Sequence, residues 1–350
     1  MKVSIVTPTY RHREFIGKAI ESVLAQTYED WEMIVVDDGS DDQTAETART
    51  HANPKITVIE QQHRGIAGLA ETYNSALARA TGQLVAILEG DDWWTPEKLA
   101  TQVPDFIDPG VVLSYGRYAQ WQDGVEVESE SPGLPASTIQ NRPVGSATYA
   151  MLKPTVLTFA WPVTVVMRTE SLRKIGGFQF APQMGVVDYP TLLRIGLEGE
   201  WRFHDGVLGY WRRHTRSETR SRFPEILSGA REYGSEFIER QRDQIPGDLE
   251  AIRHAWSAMQ LARTFSLSIV LADENRFADS MRALRHGLSF PVGPRTKAML
   301  MAALLAVKLK RNPEPIFARF GYRGYREAAR LGSGDALVST DMSLDLLSRA

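Results

Sequence analysis

Apolar positions follow two rhythms along this chain. In the first part, short continuous apolar runs alternate with stretches in which apolar residues recur at helical spacing; past about residue 222 only the helical spacing persists. Val3 to Thr7, Trp31 to Val36, Ile56 to Ile59 and Gln83 to Leu88 read as strands. Phe15, Ile16, Ala19, Ile20, Val23 and Leu24 predict an amphipathic helix over 13–26. Two more helices are expected over Thr44 to Thr50, capped by Ser40 or Asp41, and over Gly65 to Ala80, with Gly68 inside it. Val111 to Tyr115 is a further strand, and Arg117 to Glu128 a ribbon turning at Asp123-Gly124. A Ser-, Pro-, Gly- and Asn-rich stretch, 129–143, reads as a loop. Val163 to Met167 is another strand; Thr169 caps a short helix that Ile175-Gly176-Gly177-Phe178 ends. Val187-Asp188-Tyr189-Pro190 opens a helix through Leu197, and a short strand precedes Tyr210. Helices follow over 226–242, 248–272, 275–289 and 295–310. The pattern divides the chain into an α/β part, 1–222, an α-helical part, 223–335, and a loosely held tail, 336–350. Strands alternating with helices imply βαβ units and a mostly parallel sheet flanked by helices.

Composition narrows the function. A net charge of -3 argues against nucleic acid as the main partner. With no Cys, disulfides, thiolate metal sites and Cys nucleophiles are excluded, and a reducing compartment fits. The N-terminus reads as a strand, its apolar run too brief for a signal peptide. The longest apolar stretch, Ala298 to Val307, is well short of the roughly 18 residues of a membrane span. A cytoplasmic protein is expected.

Candidate chemistry sits at two strand ends. Val35-Val36 runs into Asp37-Asp38-Gly39, and Leu84 to Leu88 runs into Glu89-Gly90-Asp91-Asp92-Trp93-Trp94. Three acids within four positions crowd like charges, a costly arrangement unless a cation joins them. In an open α/β sheet the carboxyl edge of the strands is where ligands bind. A hard divalent ion holding a diphosphate is the sharp reading; a solvated acidic turn is the plain one.

Four separated motifs together resemble the inverting family 2 glycosyltransferases of GT-A fold. They are Val6-Thr7-Pro8-Thr9-Tyr10, Val35-Val36-Asp37-Asp38-Gly39-Ser40, Leu88-Glu89-Gly90-Asp91-Asp92, and Ile175-Gly176-Gly177-Phe178 leading to Asp188. Tyr210-Trp211-Arg212-Arg213-His214-Thr215-Arg216-Ser217 is similar to that family's arginine–histidine segment. The resemblance covers roughly residues 2 to 220. It implies a GT-A-type sheet with a Rossmann-like nucleotide-binding half, an α-helical C-terminal extension, and a nucleoside-diphosphate-sugar donor, UDP first. Thr7, Pro8 and Tyr10 would line the base pocket, and Asp38 would accept a base N–H, as an acceptor-only carboxylate suits. Arg64 and Asn74 would complete the donor contacts. Asp91, Asp92, Glu89 and His214 would hold Mn2+ or Mg2+, with Asp91 also near the ribose. Arg213 and Arg216 would add charge at the diphosphate. Asp188 would be the general base, although a residue at a helix start also serves as a plain N-cap. One of Trp93 and Trp94 is expected to anchor its loop and the other to stack on an acceptor sugar. This sequence departs from the family pattern at Glu89 for Asp, Tyr73 for Arg and Val187 for an acid. His12, His51 and His254 receive no functional reading.

The implied activity is transfer of a sugar to a hydroxyl of a sugar or lipid-linked glycan in cell-envelope synthesis. A rival of the same fold is a sugar-nucleotide-binding or scaffold protein that has lost turnover. Nucleotidyl transfer is discounted because residues 7 to 14 contain no glycine, and a dinucleotide oxidoreductase because no G-x-G-x-x-G follows the first strand. In the tail, Lys297, Lys308, Lys310 and Arg311 surround an apolar run. That leaves two partners open, a peripheral contact with the inner face of a membrane and packing within the chain or in a homodimer.

Overall fold

The computed structural model describes residues 1–122, 125–127, 142–153, 159–214, 223–289 and 292–320. In chain order the N-terminal half runs β1 (Val3–Thr9), α1 (Ile16–Leu24), β2 (Trp31–Asp37), α2 (Thr44–Arg49), β3 (Ile56–Glu60), α3 (Leu69–Leu77) and β4 (Leu84–Ile87). There follow β5 (Trp93–Trp94), α4 (Lys98–Gln102), β6 (Val111–Gln122), β7 (Val125–Val127), α5 (Ser146–Met151), β8 (Val166–Arg168), α6 (Thr169–Lys174), α7 (Asp188–Ile195) and β9 (Glu200–Arg213). Helices then take over: α8 (Phe223–Gln241), α9 (Leu249–Asp273), α10 (Phe277–Gly287), α11 (Pro294–Lys308) and α12 (Glu314–Arg319).

The strands form one nine-stranded sheet in the order β3-β2-β1-β4-β8-β6-β9-β5, with β7 on β6. The first four are parallel, as their unbroken apolar runs require of strands buried on both faces. β8 enters antiparallel between β4 and β6, and β6 pairs in parallel with β9, so the sheet is mixed. Ile16, Ala19, Ile20 and Val23 of α1 pack onto Val3, Ile5, Met33 and Val35. Each fully buried Val, Ile or Met side chain among them contributes about 1.5–3 kcal/mol.

Three elements differ from expectation. The helix foreseen from Gly65 begins at Leu69, because Gly65 (φ +62°) and a 3-10 turn over Ile66–Gly68 precede it. The short strand foreseen before Tyr210 is β9, 14 residues long, and β5 pairs with it through Trp93 and Trp94. The strand foreseen over 163–167 starts at Val166, after a 3-10 turn over Pro162–Thr164.

The described residues form two compact units that divide between Gly247 and Asp248, past the expected boundary near 222. α8 belongs with the first because its inner face is buried there. Ala230 is fully buried, and the Tyr233 ring meets Tyr189 of α7 at 6.4 Å. The second unit has its own core, built from Leu261, Phe265, Leu284, Met299, Leu300 and Phe317. Among the described residues no helix is long and apolar enough to cross a membrane.

Candidate active site

Because β1, β2 and β4 are parallel, their carboxyl ends meet at one edge. Beyond β4 the chain stays hydrogen-bonded to β1: Leu88 donates to Val6 O (3.0 Å) and Gly90 to Pro8 O (3.1 Å). Only glycine fits at 90, since a Cβ there would lie 2.4 Å from Thr9 Oγ1 and 3.0 Å from His12 Nδ1. This close passage delivers Glu89, Asp91 and Asp92 to the edge.

Each acid meets a partner from far along the chain. Tyr73 Oη donates to Glu89 Oε1 (2.6 Å). His214 Nε2 lies 3.0 Å from Asp91 Oδ2, and His12 Nε2 lies 3.9 Å from the same oxygen. Arg212 donates its backbone N–H to Asp92 Oδ1 (2.9 Å) and its Nε–H to the Asp91 carbonyl (2.8 Å). The Arg212 guanidinium rests between the Phe15 ring (4.8 Å) and the Trp93 ring (4.6 Å).

Crowding sets the protonation states. Burial, then the charges of Asp91 and Asp188, push the Glu89 carboxyl up to about 7, against the Tyr73 hydrogen bond. Burial and the neighbouring Asp91 and Glu89 push Asp92 well above the usual carboxylate range, opposed by the Arg212 N–H. For Asp91, burial acts in the same sense but is outweighed by His12 and His214, so its pKa is lowered. The cluster therefore lacks positive charge. His12, Asp91 and His214 form one group whose ligand atoms lie within 4.8 Å of one another, and Glu89, Asp91 and Asp92 form a second. Asp91 is common to both, and Asp92 is already committed to Arg212. This set of carboxylate oxygens and imidazole nitrogens fits a divalent ion such as Mn2+ or Mg2+.

Asp188 is the first residue of α7; the capping position belongs to Val187, which makes no side-chain cap bond. Asp188 borders a cavity of about 10 Å3, room for about one water, whose walls include Tyr73, Phe178 and Val187. Burial raises its pKa, against the backbone N–H groups of Tyr189 and Asp188. Tyr73, which donates to Glu89, lines the same cavity and so links Asp188 to the acid cluster. The approach to α7 is fixed by Gly176 and Gly177, at φ +88° and +82°. There Asn74 donates Nδ2–H to Phe178 O and accepts the Phe178 N–H at Oδ1, both at 2.9 Å.

At the β2 end, Asp38 accepts from Gln61 Nε2 (2.7 Å) and from the backbone N–H of Arg64 and Gly65, and it pairs with His63 (2.9 Å). Tyr10 stacks on His63 at 4.2 Å. Thr7 is fully buried in β1, its hydroxyl without a partner, and Pro8 is buried beside it.

Some expected contacts are taken up inside the protein. Asn74 spends both ends of its amide on Phe178, not on a donor. The Arg64 guanidinium pairs with Glu71. Trp94 is part of the core, and Trp93 stacks on Tyr210 (4.9 Å) with Lys18 Nζ 3.7 Å from its ring. At 6% and 3% exposure, neither Trp offers a face to a sugar, and both anchor the turn. Arg213 donates to Gln120 Oε1 (3.2 Å). Arg216, the Asp123-Gly124 turn, residues 129–141 and the 336–350 tail lie outside the described residues. His12, Tyr73 and the Arg212 backbone were not foreseen as site groups. The available signal for His12 was its place in the loop after β1, at the same carboxyl edge.

Residues 4–176 match the family model described as glycosyl transferase family 2. A UDP-Glc:alpha-D-GlcNAc-diphosphoundecaprenol beta-1,3-glucosyltransferase of Escherichia coli, WfgD, is 34% identical over 116 residues, 33% of this chain and 45% of that one. The chain carries a glycosyl transferase family 2 segment over residues 4–176. The chain spans half or less of the length of the curated relatives that match it at 34%, 35% and 39% identity. Among solved structures, the mannosyltransferase PcManGT from Pyrobaculum calidifontis, in complex with GDP-Man and Mn2+, is similar with a TM-score of 0.57 and 21% identity, covering 96% of this chain and 84% of that one. S. aureus TarS is similar with a TM-score of 0.56 and 18% identity, covering 92% and 55%. The fold of this chain is the GT-A fold.

Proposed function

We propose that this chain is an inverting glycosyltransferase that moves a sugar from a UDP-sugar to an acceptor hydroxyl in cell-envelope glycan synthesis. The observation that carries the reading is the half-buried Asp188 near an acid cluster whose Asp91 faces two histidines at the carboxyl edge of the sheet. Asp188 takes the proton of the acceptor hydroxyl while that oxygen attacks the anomeric carbon. The bond from that carbon to the diphosphate oxygen breaks, its electron pair leaves with the nucleoside diphosphate, and the configuration inverts. A pKa raised by burial brings Asp188 nearer the working pH of a general base. Asp91, His214, His12 and Glu89 would hold Mn2+ or Mg2+, which when bound neutralises the departing diphosphate. Arg212 holds the turn that carries Glu89 and Asp91. Asp38, with its ordered loop and the Tyr10 ring nearby, would receive the base.

The name of WfgD supports UDP and a lipid-linked acceptor, which would place the work at the cytoplasmic side of a membrane. Titrating UDP, GDP and dTDP with and without Mn2+ while following thermal unfolding tests the donor. Mn2+-dependent stabilisation by UDP alone is expected; none by any nucleotide would overturn the reading. Asp188→Asn should cut transfer by about 10^2–10^4 with UDP affinity nearly intact. If UDP binding falls with it, the base role fails. Binding without turnover on a broad acceptor panel would favour the scaffold reading.

A further inference from the structure

α11 is apolar on two opposite faces. One face, with Met299, Leu300, Ala303 and Val307, is buried in the core of the second unit. The other carries Met301 (59% exposed), Leu305 (59%) and, just past the last helical residue, Leu309 (61%), together with the exposed Ala298 and Ala302. At about 100° per residue these five positions fall within an arc of roughly 100°, a continuous stripe. A helix on the outside of a compact unit ordinarily turns polar residues outward, so this stripe calls for a partner.

The charges around the stripe identify that partner's chemistry. Arg295, Lys297, Lys308, Lys310 and Arg311 are all exposed, and no acid occurs from 294 to 311. Lys297 and Lys308 fall along one border of the stripe and Arg295 along the other. Neighbouring helices differ: Arg253 of α9 pairs with Glu250, and Arg282 of α10 pairs with Asp279. A symmetric contact between two copies through this stripe would bring five cations against five with no acid to offset them. An anionic lipid surface accepts both features at once. The apolar side chains enter the acyl boundary, and the long cationic side chains reach back to the phosphates.

We infer that the outer face of α11 is a membrane-docking surface for anionic phospholipid. The inference stands on α11 alone and goes beyond the transfer reading; its test needs neither donor nor acceptor, so the two can fail separately. The full chain is floated with phosphatidylcholine vesicles, with and without phosphatidylglycerol, at low and high salt. Binding to phosphatidylglycerol vesicles is expected, weakened by salt and by their omission. The double variant Leu305→Asp/Leu309→Asp should lower the partition coefficient about tenfold or more, with the thermal unfolding midpoint retained. Should that variant fail to fold, Lys297→Gln/Lys308→Gln/Lys310→Gln changes only exposed side chains and should lower anionic-vesicle binding about tenfold or more. No binding to phosphatidylglycerol vesicles, or binding unchanged in a folded variant, would overturn the inference. So would a lipid-free dimer that Leu305→Asp/Leu309→Asp dissociates, which would give the stripe to a second copy.

Discussion

The two acidic strand ends look alike on paper and are compensated in different ways. At the end of β2, Asp37 accepts from Ser40, and Asp38 from Gln61, Arg64 and Gly65. Those donors lie on the two loops leading away from β2 and β3, and most are neutral N–H or O–H groups. At the end of β4 the partners of Glu89, Asp91 and Asp92 come from residues 12, 73, 212 and 214. The first cluster organises its own loop, with both Asp38 oxygens accepting from that loop and its neighbour. The second is left short of positive charge, with two of its three acids driven toward protonation. An acid pair fed by nearby dipoles is compensated where it stands; an acid trio with two members driven toward protonation is an arrangement that a cation would relieve.

That contrast can be broken at its centre. Asp91→Asn should abolish Mn2+-dependent stabilisation by UDP and lower transfer about 10^2–10^3-fold, measured by thermal shift and turnover. Asp38→Asn should weaken UDP binding about tenfold to a hundredfold, as loss of a charged hydrogen-bond acceptor does, yet leave the stabilisation by Mn2+ alone in place. Equal loss of the metal response in both variants would erase the distinction.

Glu89 sharpens it through pH. An unperturbed Glu titrates at about 4.3, and burial with the charge of Asp91 pushes Glu89 up to about 7. Between those values the folded chain holds a proton the unfolded chain has released, so stability falls as pH rises and the full cost stands above about 7. Glu89→Gln should therefore raise the stability of chelator-treated protein at pH 8 by about 1–3 kcal/mol and change it little at pH 4. A flat difference across that range would contradict the assignment. Tyr73→Phe removes the donor that favours ionised Glu89. It should destabilise the same preparation at pH 8 by about 1 kcal/mol, with a smaller effect at pH 5.

How much of this was legible depended on where each signal lay. β1, β2 and β4 are continuous apolar runs that stop at turn residues, and parallel strands buried on both faces have to look so. The acids stood out for the same reason, as local breaks in a pattern, whereas Asp188 was singled out through the family resemblance of the Gly176-Gly177-Phe178 segment before it. β9 did not, because His204-Asp205-Gly206 interrupts it and much of its length is only half-buried. Its identity as a strand comes from pairing with β6, a long-range fact. His12 carried no spacing that distinguished it from other lone histidines. Arg212 acts largely through its backbone N–H, which no side-chain pattern advertises. Asn74 and the tryptophans were visible, but only packing decides whether such groups face a ligand or the chain itself.

The grip of Arg212 on the β4 turn has a consequence for how the molecule comes into being. Its hydrogen bonds to Asp92 and Asp91 span 120 and 121 positions, and the contact of His214 with Asp91 spans 123. At ordinary rates of synthesis that separation is roughly 6 to 24 seconds of translation. For that interval the first four strands can already pair, while the acids at their edge wait for the strand that will restrain them. The order of manufacture thus runs against the order of assembly: the charged turn emerges early, and the segment that completes it emerges late.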